Sequence, residues 1–317
     1  MNAPFRPCKG LIRLPLPWLV AASMLVLAAA IEVPRPQTSN RNLIQKSVVA
    51  LELARNAGDC LLQAKRTAGI KADSPWLGEE LTPLVTTLGS LEAKQVAANP
   101  DWARVLTLQL YNAGVRPGSV VTAGCSGSFP ALNLSLACAC QALGADLIAI
   151  TSVTASTWGA NQPGFTWPEI EARLVRAGII RPISIGISLG GDNDAALDLE
   201  PSARALAEKI QQSAAAELGV MPLTAATLKD SISQRMKLYR ECAAGRPVAL
   251  YVNVGGSEAS IGDSAASWRL ESGFISGKPF DLSPQRGVIA RFAEDNVPTL
   301  SLLHIEGLAF RWGVTPL

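Results

Sequence analysis

The stretch Gly124-Cys125-Ser126-Gly127-Ser128 sets two hydroxyls and two glycines between a strand-like run, residues 119–123, and a segment of helical character. Three kinds of chemistry fit that context. As an elbow of the G-x-S-x-G type it would present Ser126 as a nucleophile on a tight strand-to-helix turn, although Ser128 stands where that motif has glycine. As a helix N-terminus with free backbone N–H groups, Ser126, Gly127 and Ser128 would cradle a carboxylate or phosphate. As a plain β-to-α turn it needs only Ser128 as an N-cap.

An elbow serine needs a base. His304 is the only histidine in the chain, so a triad would run through Ser126, Asp192 or Asp194, and His304. That order matches the α/β-hydrolases. His304, however, falls inside or at the end of a strand candidate, where a lone histidine is more often a hydrogen-bonded structural residue. Lys94 and Glu258 are less usual substitutes.

Other loops carry related groups. Residues 255–262 lack the Lys-Ser/Thr of a P-loop, and no G-x-G-x-x-G follows the first strand, which argues against nucleotide hydrolysis and dinucleotide binding. Gly255, Gly256, Ser257 and Ser260 remain as ligand-binding candidates, with Glu258 expected to face water. Asp192 and Asp194 sit in a Gly/Asn loop without the ligand pattern of a calcium site, and neither HExxH nor CxxC occurs. No metal and no cofactor is expected. Trp158 and Trp167 flank a Gly/Asn loop, where tryptophans more often pack in a core or lid; Trp158 is also a ligand-binding candidate. The Asn161 amide can donate to and accept from an amide polymer. Glu92 and Lys94 read either as part of the same site or as a surface pair.

The elements that must position these residues follow a rhythm. Strand candidates are 119–123, 147–153, 183–188, 248–254 and 299–305. Helix candidates are 41–67, 100–113, 129–143, 167–177, 201–217, 228–244 and 286–296. Strands alternating with helices predict an α/β fold: a doubly wound, mostly parallel sheet with extra N-terminal helices. In such sheets ligands bind beyond the carboxyl ends of the strands, where the Gly/Ser/Asn-rich loops lie.

The N-terminus has a different character. Arg6, Lys9 and Arg13 precede Leu14–Ile31, which is free of charge. That run is about the length of a membrane span, roughly 20 residues. Basic residues before it predict a cytoplasmic N-terminus and an exported remainder. A cleaved signal peptide is the rival reading, with Ala28-Ala29-Ala30 as small residues for cleavage. The domain reading is therefore 1–33 anchor, 34–40 Pro-rich linker, and 41–317 α/β domain, with membrane contact through residues 14–33. The chain has 28 basic and 26 acidic side chains. Three of the basic ones precede the apolar run, so the remainder is close to neutral and carries no nucleic-acid signature. Of six cysteines, Cys8 precedes the run, and the other five have no disulfide spacing. Cys138 and Cys140 read as small buried apolar residues.

Six motifs in order, TTLGSLEAK (86–94) with NPDW (99–102), GCSGSFPALN (124–133), STWGANQPGFTWPEIE (156–171), SLGGDND (188–194) and NVGGSEAS (253–260), resemble the poly-gamma-glutamate system protein family over residues 40–317. The family would have a small residue at position 125, and cysteine is compatible with that. The resemblance implies a place beside the poly-γ-glutamate synthesis and export machinery of bacteria, without defining a reaction. The expected function is that of a membrane-anchored accessory protein, outside the cytoplasm and periplasmic in a Gram-negative cell. It would bind the polymer or its glutamate units in a cleft formed by loops 124–128, 156–162 and 255–260. Two alternatives stand beside it: a serine-dependent hydrolase or amide-transferring enzyme using Ser126 and His304, and a scaffold for the membrane synthesis proteins.

Overall fold

The computed structural model describes residues 37–262, 270–275 and 286–315. The expected anchor and the start of the linker lie outside the described residues. By packing, the chain divides into residues 1–42 and 43–317, and the second unit carries the α/β body.

Helix α1 (Gln37–Thr67) begins inside the expected linker, four residues before the predicted start. Pro36 is the last residue of that stretch that resists a helix interior, so nothing in Gln-Thr-Ser-Asn delays the start. Ala50, Ala54, Ala57 and Leu61 recur at helical spacing and are buried, giving α1 one apolar face. The region expected to be irregular holds β1 (Val85–Thr87) and α2 (Leu91–Ala97). Ser90 caps α2 by accepting from Ala93 N at 3.1 Å. Helix α3 (Asp101–Asn112) follows, with Pro100 as its N-cap and Asn99 Oδ1 accepting from Asp101 N at 2.9 Å.

The α/β body then runs β2 (Val120–Cys125), α4 (Pro130–Leu143), β3 (Asp146–Ser152), β4 (Ala155–Ser156), α5 (Trp167–Arg176), β5 (Ser184–Ser188), a 3₁₀ turn (Asp192–Asp194), α6 (Pro201–Leu218), β6 (Met221–Pro222), α7 (Leu228–Ala243), β7 (Val248–Val254), α8 (Glu258–Ile261), β8 (Gly273–Ile275), α9 (Val288–Glu294), β9 (Thr299–Leu302) and α10 (Ile305–Trp312). The main sheet has the order β6-β5-β3-β2-β7-β9-β8. Every neighbour pairs parallel except β8, which runs antiparallel to β9. From β2 the chain adds strands outward on one side, then returns and adds β7 and β9 on the other. The reversal falls between β2 and β7, where Cys125 is in register with Val254.

Alternation along the strands divides the core. Val121, Ala123, Cys125, Leu250, Val252 and Val254 face a cluster with α1, α3, α4, α5 and α10. Val120, Ile148, Ile150 and Tyr251 face another with α7 and α9. Both faces are thus covered, as a mostly parallel sheet requires. A separate parallel pair, β1 with β4, forms just past the end of β3. Among the described residues no helix is long and apolar enough to cross a membrane.

Candidate functional site

The carboxyl ends of the central strands open into a cavity of about 490 Å³, within the usual range of small-molecule sites. Its lining comes from the β1–α2 connection, the turn after β2, the segment from Ser152 to Ser156, the turn after β5, the turn after β7 and the start of α10. The switch point between β2 and β7 lies in its floor, where open α/β sheets place their ligands.

The turn after β2 is held by its own groups. Ser126 N donates to Val254 O at 3.1 Å, and Asn133 Nδ2 donates to Ser126 O at 2.8 Å. Gly127 N donates to Ser152 Oγ at 3.3 Å, and Ser128 N donates to Ser126 Oγ at 3.1 Å. The backbone N–H groups expected to be free for an anion are therefore already occupied. Ser128 is not the N-cap: Phe129 holds that position, and Ser128 Oγ accepts from Ser156 N at 3.0 Å. Ser126 and Ser128 line the cavity, whereas Gly127 does not. Gly255 also lies behind the surface. Its φ of +85° suits glycine, and a Cβ there would meet Ser126 Cβ at 3.0 Å.

His304 and Ser126 line the same cavity. No hydrogen bond joins them among the described residues, and Asp194 is engaged elsewhere. Both of its carboxylate oxygens meet Arg235 of α7, and Ser188 and Ser231 donate to it. β9 ends at Leu302, so His304 is not in a strand but at the exposed N-cap of α10. The hydrogen bonds of a Ser126–Asp–His304 relay are not formed.

Asn161 is a correction to the expectation. It is fully buried, its Nδ2 donates to Glu79 O at 2.7 Å, and its Oδ1 accepts from Glu79 N at 3.1 Å. The two-way bonding that would suit an amide polymer is spent on the chain's own backbone. Trp158 lies off the cavity, half-buried beside Phe129. Trp167 is core, as expected. Gly256 and Ser257 line the cavity, while Ser260 is buried behind it. Glu258 is not fully solvated: its Oε2 accepts from Asn193 N at 2.8 Å. Partial burial, with Asp192, Asp198 and Asp194 nearby, pushes its carboxyl above the usual range.

The residues of the "GSLEAK" stretch separate. Glu92 is exposed, whereas Lys94 is 4% exposed and lines the cavity. Its Nζ donates to Ser128 O at 2.5 Å and lies 2.8 Å from Ser156 Oγ. It also sits 3.7 Å from the centre of the Phe129 ring. No ion pair is formed by Lys94 among the described residues, and burial lowers its pKa to about 7. Ser156 and Asp198 are cavity residues that sequence reasoning does not single out. The signal for Ser156 is its place at the start of the loop 156–162 expected to border the cleft, where the structure puts the end of β4; for Asp198 there is none.

Two groups of side chains thus meet in one cavity. One is built around Lys94, Ser128 and Ser156. The other holds Asp192, Asp198 and Glu258, with Glu306 at the start of α10. No three His, Cys, Asp or Glu side chains among the described residues are grouped to hold a metal ion. Cys125 is buried beside Ser126, and burial pushes its thiol far above the ordinary range, so it is no nucleophile. The described cysteines form no disulfide.

No family model, no curated protein and no solved structure matches this chain.

Proposed function

We propose that the chain is a membrane-anchored accessory protein of poly-γ-glutamate biosynthesis or export, which holds the polymer or its glutamate units in the cleft at the carboxyl ends of the strands. The ordered motifs support the pathway. Residues 14–33 are the anchor, with the α/β domain outside the cytoplasm. The observation that carries the binding reading is the mixed lining of a single cavity. Hydroxyls and Lys94 offer hydrogen-bond partners for carboxylate and amide oxygens. Asp192, Asp198 and Glu258 offer partners for an ammonium group.

That mixture selects among forms of the polymer. An internal stretch of poly-γ-glutamate is a polyanion, and the carboxylates of the cleft repel it. A chain end with a free amino group, or free glutamate, carries both signs of charge and satisfies both groups of residues. Calorimetry of the purified full chain tests this with glutamate and with short γ-glutamyl oligomers, free or N-acetylated at the amino end. Free-amine ligands should bind, and acetylation should weaken binding by about tenfold or more, the equivalent of roughly 1.4 kcal/mol. Absence of binding by every ligand overturns the reading.

A further inference from the structure

Lys94 reaches the cleft from α2, and Ser156 from β4. Each is fixed before any ligand arrives. Ser156 lies on the strand pair β1–β4, opposite Thr87, and its N–H is bound to Ser128 Oγ. Lys94 is held by Ser128 O and by the Phe129 ring. Between them lies one contact, Nζ to Oγ, at 2.8 Å. In the ammonium form Nζ donates to Oγ; once deprotonated it can accept the serine proton instead.

Gly89 keeps this pair open. Its backbone is clamped by Thr157, whose Oγ1 accepts from Gly89 N at 2.7 Å and donates to Gly89 O at 3.0 Å. A Cβ at Gly89 would stand 2.9 Å from Ser156 Oγ and 3.3 Å from Lys94 Cε. Only glycine leaves both atoms undisturbed at the cavity wall.

A second buried lysine provides the contrast. Lys65 is 2% exposed, but its Nζ donates to Leu77 O and sits over Phe165. Among the described residues it bonds no hydroxyl, and it does not line the cleft. Ser126, for its part, uses its Oγ to hold Ser128 N, and among the described residues no lysine, histidine or carboxylate is hydrogen-bonded to it. The serine with an adjacent amine is Ser156.

We infer that Lys94 and Ser156 are a serine–lysine catalytic pair that cleaves a γ-glutamyl amide bond in this cleft. The substrate class rests on the proposed function above; the pair rests on the contact and on the cavity it faces. Neutral Lys94 takes the proton of Ser156 as Oγ attacks the amide carbonyl carbon. The tetrahedral intermediate collapses, the C–N bond breaks, and Lys94 returns the proton to the departing amine. This leaves an ester on Ser156. Water then attacks the ester carbon and gives its proton to Lys94. The C–Oγ bond breaks, and Lys94 reprotonates Oγ. One amide and one water become one carboxylic acid and one amine, with no other reactant.

The test uses the full chain with γ-glutamyl-p-nitroanilide, a fluorophosphonate label and calorimetry with the oligomers. The pair predicts p-nitroaniline release that falls by at least about 10³-fold in Ser156→Ala and in Lys94→Arg. It predicts the label on Ser156 by peptide mapping, and its loss in Lys94→Arg. Release should rise with pH through about 7 as Lys94, held down by burial, deprotonates; His304, Asp192, Asp198, Glu258 and Glu306 are the titratable groups that share its cavity. Labelling of the unmutated chain decides the matter even where a variant fails to fold. Oligomer binding without release and without labelled Ser156 overturns the pair and leaves the binding reading intact. A label on Ser126 also overturns it. Release with labelled Ser156 but no oligomer binding supports the pair and overturns the polymer reading.

Discussion

Arg235 Nη2 lies 2.7 Å from Asp194 Oδ2, and each side chain is only 3% exposed. This ion pair ties α7 to the turn after β5. Asn193, the adjacent residue in that turn, donates its N–H to Glu258, so the pair also sets the distance between two rims of the cleft. Removing one partner of a buried ion pair leaves the other charge uncompensated, which costs about 3–5 kcal/mol. Arg235→Met should destabilise the domain by that amount in urea unfolding. It should also weaken ligand binding, because Glu258 loses its fixed neighbour. A loss below about 1 kcal/mol would mean that water enters and solvates Asp194.

Lys94 makes stability depend on pH. Burial lowers its pKa from 10.5 to about 7. Between those values the unfolded chain binds the proton that the folded chain has released, so unfolding free energy falls as pH drops and rises with pH across the window. The full span is on the order of 5 kcal/mol. Lys65, lowered by burial to about 8, adds to the same trend. Comparing the wild type with Lys94→Met isolates the Lys94 contribution, since Lys65 is common to both. The wild type should gain stability relative to the variant from about pH 7 to about pH 10. A constant difference would mean that Lys94 titrates as an exposed lysine does.

The sheet is legible in the sequence because its code is local. Valine, threonine and alanine fill Val120 to Ala123, and Pro130 and Pro201 mark helix starts. The apolar pattern runs past the end of β9, because Leu303 and Ile305 continue it after the chain has turned into α10. The short elements β1, β4, α2 and α8 are too brief to show a period and leave no such mark. The site is half legible. Loops at one sheet edge can be named, but hydrogen-bond assignment cannot. Asn161 and Lys94 both carry polar heads in glycine-containing surroundings, yet one bonds Glu79, 82 positions away, and the other reaches Ser156, 62 positions away. Which of them faces the cavity depends on that long-range packing.

Asn161 clamps the Glu79 backbone from both sides, much as a neighbouring strand would. Gly78 approaches so closely that a Cβ there would overlap the Asn161 amide. Asn161→Ala leaves the Glu79 N–H and C=O without these partners inside the fold, at about 1–3 kcal/mol. The measurement is urea unfolding paired with calorimetry. Stability should fall by that amount, and glutamate affinity should change less than in Glu258→Gln. A binding loss larger than that of Glu258→Gln would return Asn161 to the ligand site.

The thiols give a check on the core that needs no knowledge of function. Cys138 and Cys140 are buried in α4, and burial pushes both thiols up to about 12. Cys125, at the end of β2, is pushed higher still. Thiolate is the reactive form, so none of the three should alkylate while the domain is folded. Cys60 and Cys242 are partly exposed. Burial and the neighbouring Glu241 raise the Cys242 thiol, so it should react more slowly than a free cysteine. In a Cys8→Ser background, iodoacetamide at about pH 8, near the ordinary thiol pKa, should label Cys60 and Cys242 in the native state. In urea it should label Cys125, Cys138 and Cys140 as well, as read by peptide mapping. Native labelling of Cys125 would mean that the end of β2 opens to solvent, and the cleft floor that positions Ser126 would then not be rigid.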